Sequence, residues 1–208
     1  MAVPDGPHGW QSGMKRALDV ITAGLLILLC APLMAAVALA VKLGSPGPAV
    51  IKQERVGRNH ARFHIYKFRS MVADAETLRS ELLNVNEAAA PLFKIRRDPR
   101  ITRVGRVIRR FSLDELPQLV NVLLGSMSLV GPRPPFAHEV DQDYLRQVLR
   151  LKFLPGMTGL WQVSGRSDLD YDTMIRLDLR YTRDWSIWMD IKVLLRTVPV
   201  VISGKGAC

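Results

Sequence analysis

The run VITAGLLILLCAPLMAAVALAV, residues 20–41, carries no charge, is long enough to cross a bilayer, and holds Pro32 in its middle. Three readings compete for it. As a secretory signal it has Lys15 and Arg16 in front and Ala38-Leu39-Ala40 resembling a cleavage site, but the apolar stretch is too long and Asp19 intrudes. As a simple spanning helix it meets the positive-inside rule on both sides: Lys15 and Arg16 precede it, and Lys42, Lys52, Arg55, Arg58 and Arg62 follow. Both flanks therefore favour the cytoplasm. Pro32 lacks an N–H and clashes with the preceding turn, so it kinks the helix. Each arm, 20–31 and 33–43, would be roughly 16–18 Å long, about half of a ~30 Å hydrocarbon core. The expectation is a re-entrant helix hairpin over residues 15–43, broken at Pro32. The alternative is one kinked span.

With 208 residues and 48% apolar content, the chain can build one cored domain, or one domain with an appendage. Lysine and arginine number 29 against 19 acidic residues, a net +10, which points to anionic partners: nucleic acid, acidic headgroups or phosphorylated small molecules. Cys30 and Cys208 make neither a disulfide framework nor a metal cluster, so a reducing compartment is expected. Residues 1–14 read as a flexible lead.

After the apolar run, GSPGPAVI (44–51) is a hinge rich in turn formers. ARFHIYKFRSM (61–71) alternates like a strand and puts Lys67 and Arg69 on one face, either as a solvated edge or as a grip for phosphate. His60 and His64 have metal-ligand spacing only on a helix and lack a third ligand. Residues 74–86 read as a polar helical stretch. In RRDPRITRVGRVIRRFS (96–112), Thr102 is a candidate cap for an amphipathic helix with Val104, Val107, Ile108 and Phe111 on its apolar face and Arg103, Arg106 and Arg110 on its wet face. Without aromatic interleaving or a recognition helix, a membrane surface suits it better than nucleic acid.

SLDELPQ (112–118) follows. Ser112 and Glu115 have the form of a capping box ahead of Leu116, Leu119, Val120 and Leu123. Asp114 has no such local employment, because a cap there would want the N–H of residue 117, which is proline. Among arginines at a helix N-terminus it should stay ionised, able to bind a divalent cation or attack phosphorus. The helix should end at Gly125, and Pro132, Pro134 and Pro135 then stiffen the backbone around Arg133, a rigid mount for bidentate phosphate binding. A plain proline-rich linker is the alternative.

KRALDV (15–20), GSPGPAVIKQERVGR (44–58), FHIYKFRSM (63–71), DPRITRVGRVIRR (98–110), SLDELPQLVNVLLGSMSLVGPRP (112–134), PGMTGLWQVSGR (155–166) and LDLRYTRDWSIWMDI (177–191) together resemble the bacterial sugar transferase family, the monotopic polyprenyl-phosphate phosphoglycosyl transferases. The likeness runs in family order from about Lys15 to Ala207. It implies an α+β, helix-rich monotopic membrane protein with a re-entrant hairpin, a small strand element and interfacial amphipathic helices. Residues 44–208 would form the catalytic domain at the cytoplasmic face of the bacterial inner membrane. It implies transfer of a sugar phosphate from a nucleotide-diphosphate sugar, in the first place a UDP-sugar, to polyprenyl phosphate, with Mg²⁺ as cofactor, membrane lipid as partner and no nucleic acid. Homo-oligomers are compatible with it. Asp114 would be the nucleophile and Glu115 would assist with metal or protons. Pro132, Arg133 and Pro134 would clamp phosphate, with Lys67, Arg69 and Arg110 nearby. Where the family often breaks its hairpin at Ser-Pro, this chain has Ala31-Pro32, which leaves proline as the main turn signal.

Gln162 and Arg166 lie in a loop suited to a nucleotide or sugar, although Trp161 beside them reads equally as a buried anchor. Trp185, Trp188, Ile191, Leu194, Leu195 and Val198 share one helical stripe, core or interfacial. Two rival functions remain: an Asp-x-Asp metal-dependent glycosyltransferase using Asp141 and Asp143 or Asp168 and Asp170, and a membrane-tethered basic adaptor for acidic lipid or nucleic acid.

Overall fold

The computed structural model describes residues 6–7, 9–87, 93, 95, 97–142, 144–204 and 206. Asp143, Ala207 and Cys208 fall outside them, and the side chain of Asp141 is likewise outside what is described, so the Asp141–Asp143 carboxylate pair lies outside the described residues. The apolar run lies within α1, Trp10–Gly44, a helix of 35 residues that starts earlier than Lys15 and runs through Pro32 as one element. The two separate arms expected from the sequence are not seen. Among the described residues α1 is long and apolar enough to cross a membrane, and Leu25, Leu28, Leu29 and Leu33 are exposed on it, consistent with membrane association.

Charged side chains secure both ends of α1 to one globular body. Near its start, Lys15 Nζ lies 2.6 Å from Asp190 Oδ2 and 3.0 Å from the Val130 carbonyl, Arg16 donates to the Val122 and Leu123 carbonyls, and Asp19 accepts the Leu129 N–H. At its end, Arg69 donates to the carbonyls of Val41, Ser45 and Pro46. Helix termini leave carbonyls without intrahelical partners, and a buried guanidinium satisfies several at once.

Strands β1, Val50–Val56, and β2, Arg62–Phe68, form an antiparallel hairpin in which Val50 faces Phe68 and Val56 faces Arg62. The GSPGPAVI hinge thus already contains the start of a strand. Helix α2, Ala75–Glu81, is short, and α3, Arg103–Arg110, begins at Thr102, whose hydroxyl accepts the Gly105 N–H at 2.8 Å as the sequence predicts. Gly105 lets α3 lie on the end of β2, since a Cβ there would sit 1.9 Å from the Ser70 carbonyl. Ile108 and Val104 pack against Val37, Val41 and Phe68, but Val107 is exposed, so the expected apolar face of α3 is split.

Helix α4, Gln118–Leu124, ends at Gly125 in the left-handed region, as the glycine leads one to expect. Its Asn121 acts as a piece of strand: Oδ1 accepts the Tyr66 N–H at 3.0 Å and Nδ2 donates to the His64 carbonyl at 2.7 Å, which covers the open edge of β2. Strands β3, Ser128–Val130, and β4, Gly156–Thr158, pair in parallel. Between them lie α5, Ala137–Gln142, and α6, Tyr144–Arg150. The chain closes with α7, Tyr171–Asp184, and α8, Ile187–Ser203. Ala23, Ile65, Leu119, Val122, Leu129, Phe153, Tyr181 and Val193 form the main core, joining α1 to the strands and to α8. The tryptophan stripe divides: Trp185 and Leu194 pack on the core, while Trp188, Leu195 and Val198 are exposed.

Candidate active site

The link between α3 and α4 turns sharply at Ser112, a left-handed residue with φ 54°, and continues as a 3₁₀ turn over Leu113–Glu115. The capping box expected there does not form: Ser112 makes no cap, and its Oγ takes Nη2 of Arg166 instead. The reversal turns Asp114 inward, where it is 7% exposed. Glu115 faces β2, and its Oε1 lies 2.8 Å from Lys67 Nζ. Local sequence suggests a cap, but the contact with Lys67, 48 residues away, sets the geometry.

Asp114, Gln118, Met157 and Gln162 help line a cleft of about 170 Å³. It adjoins a basin of about 740 Å³, and the two share Arg55, Lys67, Arg109, Glu115, Arg133 and Arg166. A basin of that size suits a small-molecule ligand. Arg133 extends from the irregular segment after β3, with Nη1 2.8 Å from Glu139 Oε2. Pro134 lines the cleft, and the Pro132 carbonyl accepts the Gly156 N–H, which ties the mount to β4.

Two expectations need correction. Arg69, expected on one strand face with Lys67, lies just past the end of β2 and does not line the cleft: it is 5% exposed and committed to the carbonyls at the end of α1. Arg110 does not line it either and packs beside Gly204 and Phe111, while its neighbour Arg109 takes the place by the cleft. A helical wheel cannot make that choice, because it depends on the bend at Ser112.

Arg55, which the sequence does not single out, is 6% exposed with its guanidinium 3.2 Å from the centroid of the Phe136 ring. Its Nη1 donates to the Pro134 carbonyl and its Nη2 to Gln53. The only sequence signal is a cation at an inward strand position, and that signal needs β1 to be recognised first. Arg55 Nε, Trp161 Nε1 and Arg166 Nη1 are buried without a partner among the described residues, and all three side chains line the cleft. Unpartnered buried donors are uncommon and call for an acceptor. Trp161 also packs against Tyr171 and Ile175, so it serves as an anchor as well.

Burial pushes the Asp114 carboxyl up to about 6; Lys67 pulls it down and Glu115 adds to the rise. The sequence leads one to expect the reverse, an acid held anionic by arginines, because enclosure cannot be foreseen from it. At pH 7 it is still mostly ionised. Burial also pushes Glu115 up, but the charge and hydrogen bond of Lys67 outweigh it and hold that carboxyl below its usual range. Among the described residues no group of three or more His, Cys, Asp or Glu could hold a metal. Asp170 caps α7 by accepting the Thr173 N–H at 2.6 Å, which gives half of the second Asp-x-Asp pair a structural task.

A family model for bacterial sugar transferases matches residues 10–204. The chain belongs to the bacterial sugar transferase family. The match takes in the lining of the cleft from Arg55 through Asp114 to Ser167, and leaves out Gly206. Among curated relatives, the galactosyl transferase CpsE of Streptococcus agalactiae is 48% identical over 195 residues, 93% of this chain and 43% of that protein. An undecaprenyl-phosphate galactose phosphotransferase of Salmonella typhimurium is 46% identical, covering 93% of this chain and 41% of its own length. The exopolysaccharide production protein ExoY of Rhizobium meliloti is 38% identical, and there the match covers 87% of the relative. The chain thus spans well under half of the first two relatives and most of the third.

Proposed function

We infer that this chain is a phosphoglycosyl transferase that moves a sugar 1-phosphate from a nucleotide-diphosphate sugar, in the first place a UDP-sugar, to undecaprenyl phosphate at the cytoplasmic face of the bacterial inner membrane. The observation that carries the reading is one buried carboxylate, Asp114, in a cleft walled by Lys67, Arg109, Arg133, Arg55 and Arg166, with donors left for an anion to fill. The relatives named for undecaprenyl phosphate and exopolysaccharide production support the lipid acceptor.

In the first step a carboxylate oxygen of Asp114 forms a bond to the sugar-bearing β-phosphorus. The bond from that phosphorus to the bridging oxygen breaks, and nucleoside monophosphate leaves with the electron pair. In the second, an oxygen of the polyprenyl phosphate attacks the same phosphorus, the aspartyl bond breaks and the carboxylate is restored. Only the inner cleft includes Asp114, so the phosphosugar is held there, and the nucleoside occupies the larger basin. Lys67, Arg133 and Arg166 neutralise phosphate oxygens as charge shifts. Two adjacent carboxylates, with no third protein ligand among the described residues, fit Mg²⁺, which keeps waters and takes other ligands from substrate phosphates. Glu115, beside Asp114, would hold it, and the ion when bound supplies further neutralisation of the diphosphate.

A helix held at both ends on one body is the reason to read α1 as entering and leaving by a single leaflet. Neither Lys15 nor Arg69 can release its partners without exposing buried charge, and Pro32 permits the bend between them.

Purified protein in nanodiscs, given a panel of nucleotide-diphosphate sugars with undecaprenyl phosphate, is expected to release nucleoside monophosphate. Release of nucleoside diphosphate instead would favour direct glycosyl transfer and sink the reading. Protonated Asp114 cannot attack, so the rate of covalent capture of phosphosugar should be half-maximal near pH 6, approach its full value above pH about 7, and decline toward tenfold per unit well below 6. A capture rate flat from pH 7 to 4.5 would contradict this.

A further inference from the structure

Arg133 lies in a segment without regular structure, yet three buried ionic groups hold its backbone N–H, its carbonyl and both terminal nitrogens of its guanidinium. Its N–H donates to Asp178 Oδ2 at 3.2 Å, its carbonyl accepts from Arg150 Nη2 at 3.0 Å, and its guanidinium meets both Glu139 oxygens, at 2.8 and 3.3 Å. Arg150 in turn binds Asp178 through Nε at 3.0 Å and Nη2 at 2.5 Å. Glu139 also accepts the Phe136 N–H at 3.1 Å, which locks its own rotamer at the start of α5. Arg150, Asp178 and Glu139 are 1%, 0% and 2% exposed; of this neutral quartet only Arg133 lines the inner cleft, while Glu139 joins it in lining the larger basin.

Buried ion groups gain little stability over apolar residues of the same volume, because desolvation cancels most of the attraction. Asp178 even keeps Oδ1 buried without a partner among the described residues. The arrangement makes more sense as a mount. Fixing a guanidinium before the ligand arrives spares the entropy of ordering it, and a displacement of about 1 Å at such a group costs on the order of 10²-fold in rate. Glu139 also offsets the repulsion of two like charges, since Arg55 and Arg133 both approach the Phe136 ring, at 3.2 and 6.0 Å from its centroid, and both act on the Glu139 carboxyl.

We propose that Glu139, Asp178 and Arg150 are positioning residues that aim Arg133 at the diphosphate of the donor. This deepens the phosphoglycosyl transferase reading and rests on it for the identity of the donor. The sign of one measurement separates positioning from plain electrostatics. Removing a carboxylate from a basic cleft should, by charge alone, tighten anion binding. If Glu139 aims Arg133, its removal loosens it.

The test is a double-mutant cycle of Glu139→Gln and Arg133→Ala in the full chain, read by calorimetric binding of inorganic diphosphate and by the KM and kcat of monophosphate release. Glu139→Gln is expected to raise the diphosphate Kd and the donor KM about tenfold, with kcat less affected, and to change neither in the Arg133→Ala background. Tighter diphosphate binding, or the same loss in both backgrounds, overturns the proposal. If Glu139→Gln does not fold, Asp178→Asn, which keeps an acceptor for the Arg133 N–H, takes its place in the cycle. If neither variant folds, the quartet serves stability and the proposal fails. A wild-type protein that binds diphosphate but releases monophosphate from no donor would sink the transferase reading while leaving the cycle interpretable.

Discussion

Asp114→Asn is expected to lower monophosphate release on the order of 10⁴-fold or more, and to abolish the mass gain of one sugar phosphate that wild-type protein should show with donor alone. An amide nitrogen has no electron pair to offer phosphorus, and its oxygen is a poor nucleophile, so the first bond cannot form. Stability should hardly change. The carboxylate is enclosed and burial already opposes its charge, so a neutral group of the same shape fits the site at no electrostatic cost. Loss of activity in a folded protein is what separates a nucleophile from a structural acid. Glu115→Gln supplies the contrast: turnover should slow, but the covalent adduct should still form, because Glu115 is occupied with Lys67 and is not the attacking group. If Asp114→Asn turns over near the wild-type rate, or if the adduct maps to Glu115, the mechanism is wrong.

Lys15→Ala should produce the largest loss of stability among single changes at the membrane helix. Lys15 Nζ and Asp190 Oδ2 are 2.6 Å apart, with side chains 8% and 1% exposed, and Tyr181 and Trp185 add hydrogen bonds to the same carboxylate at 2.7 and 3.3 Å. Taking away the cation strands a buried anion, which costs about 3–5 kcal/mol. In a chain of this size that lowers Tm by roughly 10 °C. Thermal unfolding in detergent micelles would measure it. The pair Lys15→Met with Asp190→Leu should recover most of the loss, because both charges leave together. A Tm for Lys15→Ala within about 2 °C of wild type would show that the contact between α1 and α8 carries little of the fold, and would weaken the case that α1 is held to one body at both ends.

Several features are legible in the amino-acid sequence because they obey local rules. An uncharged run of that length, the caps at Thr102 and Gly125, and the polyproline setting of Arg133 follow from hydropathy, hydrogen-bond valence and restricted backbone angles within a few residues. The Asp114–Glu115 pair stands out for the same reason, since Pro117 leaves Asp114 without a local task. The choice of Arg109 over Arg110, the diversion of Arg69 to the end of α1, the left-handed turn at Ser112 and the raised carboxyl of Asp114 cannot be read that way. Each depends on groups distant in the chain: Ser112 meets Arg166 and Arg69 meets Ser45, while the Asp114 carboxyl owes its upward shift to enclosure. Periodicity records which side of an element is apolar, but not what lies opposite. Charge, burial and aim at this site are properties of that opposing surface, and only folding brings it into place.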